Sequence, residues 1–147
     1  MDLDSDTTAN AIKLVIRVPC SGWGDSWTPI AAQTMESQAA TMRLVRSRTD
    51  APVPEIYEMD VTTNNEIEAP YFCINVFEGK EVWDYWYGPL STEAMRLKIL
   101  TSLARTMAQF APFSFDKMGS VHQTQDGSYT VGQTYRWAKP PMEETVL

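Results

Sequence analysis

The segment Ala11-Ile12-Lys13-Leu14-Val15-Ile16-Arg17-Val18-Pro19 decides the reading of the fold. It is β-branched and apolar, its two charges share one parity, and Pro19 withholds the N–H that a continuing strand would need. One strand is predicted. Downstream, Ser21-Gly22-Trp23-Gly24-Asp25-Ser26-Trp27-Thr28-Pro29 is a Gly/Ser loop whose two tryptophans are expected to plug a neighbouring surface.

From Thr34, read as an N-cap, Met35, Ala39, Met42 and Val45 recur at helical spacing while Arg43, Arg46 and Arg48 face elsewhere. This amphipathic helix must end near Asp50, because Pro52 and Pro54 cannot continue it. Residues 55–60 alternate as a strand should, Thr62-Thr63-Asn64-Asn65 makes a turn, and residues 71–77 return as the second strand of a hairpin. Glu78-Gly79-Lys80 breaks the pattern, and the aromatic run Val82-Trp83-Asp84-Tyr85-Trp86-Tyr87 predicts a short helix ending at Gly88-Pro89. A longer helix capped by Ser91 carries Leu97, Leu100, Ala104, Met107 and Ala111 on one stripe, and Pro112 closes it. A small hairpin follows, turning at Gln125-Asp126-Gly127-Ser128. Strand, helix, strand, strand, helices and hairpin make an α+β chain.

At 147 residues and 16.6 kDa there is material for one ordinary domain or part of one. A net charge of -7 and a pI near 4.6 argue against a nucleic-acid backbone or an anionic membrane as principal partner, since both need a basic face. A nucleotide phosphate is still compatible, since one cation, a metal and a few backbone N–H groups suffice locally. Cys20 and Cys73 lie far apart without metal-ligand spacing, and the apolar neighbours of Cys73 predict a buried thiol. The acidic start of the chain does not read as a secretory signal, so the expected compartment is the cytoplasm.

Val15-Ile16-Arg17-Val18-Pro19, Ala40-Thr41-Met42-Arg43-Leu44-Val45-Arg46, Ala51-Pro52-Val53-Pro54-Glu55-Ile56-Tyr57, Ala69-Pro70-Tyr71-Phe72, Phe77-Glu78-Gly79 and Met118-Gly119-Ser120-Val121 occur in an order and spacing that resembles the fungal branch of the aminoglycoside phosphotransferase family, which has a kinase-like fold. The resemblance spans roughly residues 11–135. It implies a partial kinase-like N-lobe with its hinge over residues 11–79, and a helical linker with a small hairpin from the start of the C-lobe over 80–137. A disordered start over 1–10 and a frayed tail over 138–147 flank them. It further implies that Arg17 stands where kinases place the phosphate-binding Lys of their V-A-I-K strand, and that the position of its orienting Glu is held by Gln38, or by Glu36 if the helix register differs. Ile74 would back an adenine ring, and the main chain at Asn75 and Phe77 would hydrogen-bond it. The implied cofactors are ATP and Mg²⁺, with weak or absent binding expected here, and the implied partner of the whole protein is a small-molecule acceptor.

The chemistry of the family is not spelled out in these residues. No glycine precedes Gly22 to form a lid over phosphates, and no H-x-D-x-x-x-x-N-like run with a later metal-binding Asp is present. His122 is followed by Gln123-Thr124-Gln125-Asp126 and reads as a surface hairpin histidine. No G-x-S-x-G elbow occurs, the two cysteines have no placed base, and Glu143-Glu144 falls in the tail. No catalytic and no metal-binding residue is therefore assigned. Two readings follow. One is a scaffold fragment of a phosphotransferase, inactive alone. The other is a non-enzymatic interaction module, or pseudokinase-like remnant, that self-associates through Trp83, Tyr85, Trp86, Tyr87 and the long helix.

Overall fold

The computed structural model describes residues 12–135, so the predicted start over 1–10 and tail over 138–147 lie outside the described residues. Strand β1 is Leu14–Arg17, helix α1 is Pro29–Arg48, and strands β2 and β3 are Ile56–Asp60 and Tyr71–Asn75. Helices α2 (Val82–Tyr87) and α3 (Glu93–Ala108) follow, then the hairpin β4 (Val121–Gln123) and β5 (Tyr129–Val131). The chain is α+β: β1, β3 and β2 form one antiparallel sheet in that order, and β4 pairs with β5 in a second.

Helix α1 starts six residues earlier than the spacing of its apolar stripe suggests. Thr28, with extended backbone, accepts a hydrogen bond from the Ala31 N–H at 3.2 Å, and Pro29 occupies the first helical position, where a missing N–H costs nothing. Thr34 is then an interior residue whose hydroxyl donates to the Ile30 carbonyl at 2.7 Å. The helix ends as predicted: the Thr49 N–H and hydroxyl both donate to the Val45 carbonyl, and Arg46 ties the end to the sheet through the Val53 carbonyl and Glu55. Similarly, α3 is capped by Thr92 rather than Ser91; the Ser91 hydroxyl instead accepts from Arg96.

Met35, Ala39 and Phe72 form the core, with Trp27, Ile56, Met59, Val61 and Ile74 packed around it. Ile56 and Met59 are three apart, so a regular strand would send them to opposite faces. A bulge between Ile56 and Glu58 absorbs Tyr57 and brings both to the core cluster, which replaces the simple alternation expected from sequence. The other side of α1 lies against β4, and small Ser37 and Ala40 beside Leu44 give the helix a second buried stripe. Gly119, at the entry to that hairpin, sits so close to the Gly132 carbonyl that no Cβ fits, and Gly127 takes the left-handed backbone (φ 83°) its turn requires. His122 is half-buried rather than on the surface, within 3.5 Å of the Tyr135 hydroxyl.

Candidate functional site

The strand-to-helix connection after β1 builds the site. Arg17 ends β1 opposite Phe72 of β3, and Pro19 then stops the ladder. The loop doubles back through the Gly22 N–H to the Pro19 carbonyl at 2.9 Å, and a short 3₁₀ turn, Gly24–Ser26, delivers Trp27 to the head of α1. Trp27 plugs the surface as expected, its indole N–H donating to the Val61 carbonyl at 2.8 Å, whereas Trp23 stays exposed.

Between this loop, β1, β3 and the first half of α1 lies a pocket of about 220 Å³. Arg17, Gln38 and Thr34 supply its polar lining. Trp27, Met35 and Phe72 supply the apolar walls, with Ala31 and Pro19 between them and the Cys20 thiol at the edge. Met35 and Phe72 are themselves core residues, so the floor is fixed by the packing that holds the sheet to the helix. Arg17 has no ion-pair partner among the described residues, in contrast to Lys13 and Arg46, which pair with Glu78 and Glu55. Neither the Arg17 nor the Gln38 side chain hydrogen-bonds another described residue.

The sequence-derived candidates divide. Arg17 and Gln38 line the same pocket. Glu36 is exposed on another face of α1 and is not part of the lining. Ile74 packs against the core, and Asn75 is occupied twice by Glu55: its N–H donates to the Glu55 carbonyl at 3.3 Å, and its Oδ1 accepts the Glu55 N–H at 2.7 Å. Phe77 is half exposed just beyond β3, outside the pocket. Sequence reasoning did not assign Trp27, Thr34 and Cys20 to the pocket. The Pro29 that permits an early helix start was the signal that would have brought Thr34 into the helix and onto this face. Cys73 is buried and Cys20 exposed, both as free thiols. Among the described residues no cluster of three or more His, Cys, Asp or Glu side chains is placed to hold a metal, and no helix is long and apolar enough to cross a membrane.

No family model matches this chain, and no solved structure matches it. Among curated proteins, it is 28% identical over 120 residues to a subtelomeric hrmA-associated cluster protein of Aspergillus fumigatus strain Af293, covering 80% of this chain and 22% of that protein. It is 28% identical over 122 residues to the "Altered inheritance of mitochondria protein 9, mitochondrial" of Candida albicans strain SC5314, covering 79% of this chain and 19% of that protein. The chain thus spans about a fifth of the length of the curated relatives it matches.

Proposed function

We propose that this chain is the nucleotide-side portion of an aminoglycoside phosphotransferase-like protein, whose whole form passes the γ-phosphate of ATP, with Mg²⁺, to a hydroxyl of a small-molecule acceptor. On this reading the 147 residues supply scaffold and a phosphate-facing cation but do not carry out transfer alone. The observation that supports it is the meeting of Arg17, at the end of an antiparallel strand, and Gln38, on the following helix, in one pocket. A guanidinium grips phosphate oxygens through two parallel N–H donors. A carboxamide lining the same pocket adds a neutral donor without neutralising the guanidinium, so the cation is left for an anionic ligand. Both named relatives come from fungi, in keeping with the branch that the motif order resembles.

Calorimetric titration with ATP, with and without Mg²⁺, tests this together with a turnover assay across hydroxyl-bearing acceptors. Weak ATP binding that Arg17→Gln abolishes, with no turnover, is expected. Mg²⁺-dependent turnover would overturn the inactive reading, and ATP binding indifferent to Arg17→Gln would remove the site. We place the chain in the cytoplasm; since two relatives are named as mitochondrial, co-fractionation of the tagged chain with mitochondria would replace that placement.

A second reading, a non-enzymatic module acting through apolar surface, is favoured by a specific observation. Trp83 and Tyr87 on α2 keep 66% and 64% of their surface exposed, and no residue of α3 is buried. Sedimentation as a dimer or larger species at micromolar concentration supports it, and a monodisperse monomer that binds no hydrophobic dye counts against it.

A further inference from the structure

We infer that the pocket beside Arg17 takes a small organic monoanion, a single carboxylate on an apolar body, and that it does so with no nucleotide present. Three features of the lining lead there. The first is charge: Arg17 is the one charged side chain lining it, in a chain of net charge -7 that repels multivalent anions. One guanidinium matches one carboxylate through two parallel N–H···O bonds, and leaves most of a triphosphate uncompensated.

The second feature is the balance of the walls. Trp27 has already given its indole N–H to the Val61 carbonyl and its backbone N–H to the Gly24 carbonyl, so it offers the ligand a ring and no donor. Met35 and Phe72 add a thioether and a second ring, both favourable neighbours for an aromatic or aliphatic body. Thr34 has committed its proton to the Ile30 carbonyl, which leaves Gln38 as the neutral donor beside Arg17. A ligand that is all charge would waste this surface, and one that is all apolar would strand the guanidinium. The third feature is size. At about 220 Å³ the space is smaller than the roughly 300–1,000 Å³ of pockets that enclose drug-sized ligands. It suits a one-ring acid, and Ile74, Asn75 and Phe77, where an adenine would be sought, lie outside it.

Cys20 supplies a built-in reporter, because its exposed thiol lines the pocket while the other cysteine, Cys73, is buried. The experiment titrates the full, isotopically labelled chain with benzoate, inorganic phosphate and MgATP in turn. It follows the Arg17 Nε and Gln38 side-chain amide signals, and measures the alkylation rate of Cys20 by N-ethylmaleimide at each ligand concentration. Benzoate is expected to shift both signals saturably, slow Cys20 alkylation, and bind about tenfold or more tightly than phosphate. Arg17→Gln is expected to weaken benzoate by about tenfold or more, the loss of a charge-assisted pair, with Arg17→Lys in between. Because Arg17 is exposed, the variant should unfold at the same denaturant midpoint; should it not, Gln38→Ala, also at an exposed position, is expected to weaken benzoate in the same sense. Absence of saturation, phosphate binding as well as benzoate, or benzoate binding unchanged in both variants would overturn the inference. MgATP binding through Arg17 without benzoate binding would sink it while sparing the nucleotide reading, and benzoate binding without MgATP would do the reverse.

Discussion

Helices α1 and α3 both carry apolar side chains at helical spacing, and the fold treats them in opposite ways. Met35, Ala39, Ala40 and Leu44 of α1 retain 3% or less of their surface, whereas Leu97, Leu100, Leu103 and Met107 of α3 retain 48% to 57%. The difference is in what each helix meets. α1 is covered on one side by the sheet and on the other by β4; α3 meets α2 and is tied to the end of α1 by the Gln109 side chain accepting the Asp50 N–H at 2.7 Å. Amphipathic spacing therefore records which face a helix can bury, while the neighbours decide whether that face is buried. The site follows the same division, since the Arg17 pocket rests on the covered helix and takes its floor from the core.

The largest expected effect breaks the comparison at its strong side. Phe72→Ala removes a core ring that is 5% exposed and should cost about 3–5 kcal/mol. That is a large share of the roughly 5–15 kcal/mol of a typical domain, so the midpoint of urea unfolding should fall sharply and the Arg17 pocket should lose its wall. Leu100→Ala on α3, at 48% exposure, should change stability by less than about 0.5 kcal/mol. Comparable losses for the two would mean that α3 is covered in solution by a further surface, such as a second copy of the chain.

A subtler pair uses identical chemistry in the two settings. Thr28 and Thr92 each accept the N–H three residues on at 3.2 Å, so Thr28→Ala and Thr92→Ala remove the same cap bond. For α1 the loss should appear in global stability, at about 1 kcal/mol. For α3 it should appear as faster amide exchange in the first turn, with a smaller change in the urea midpoint, because a helix with no buried residue opens locally. Equal midpoint shifts would unite the two helices in one cooperative unit.

The order of elements along the chain, the two long helices and the hairpin turn were legible because Pro, Gly and periodic apolar residues mark them locally. What escaped was set by contacts between distant segments. The early start of α1 depends on Thr28 and Pro29, which look like loop residues until the helix behind them exists. The bulge at Tyr57 brings Ile56 and Met59 to the same core cluster, and half-buried His122 lies against Tyr135. At the site, Arg17 and Gln38 were singled out from the sequence and do line one pocket, but the walls were not foreseen. Trp27 is held at the pocket by its packing on the core and by the Val61 carbonyl, 34 residues away, which accepts its indole N–H.

The smallest expected effects separate two carboxylates with the same local chemistry. Asp60 closes the turn after β2, accepting from the Thr62 N–H at 2.7 Å, from the Thr62 hydroxyl and from the Asn65 amide. Asp126 does the same in the peripheral hairpin with Thr124 and Ser128. These bonds favour the ionised form and hold both carboxyls below the usual carboxylate value; at Asp60 the Thr62 N–H contributes most, and at Asp126 the Thr124 hydroxyl. A folded-state value depressed below the unfolded one, near about 3.9, gives stability that is complete above that pH and lost as pH falls through the folded value. Asp60→Asn should therefore flatten the acid limb of the unfolding midpoint below about pH 4, because this turn leads into the core strand β3. Asp126→Asn should leave that limb nearly unchanged and alter only the pH response of the Ser128 amide, since the hairpin it closes adds little to the core. Both effects should be small, because both carboxylates face water. An acid limb that responds equally to the two variants would place the hairpin and the sheet under one cooperative transition.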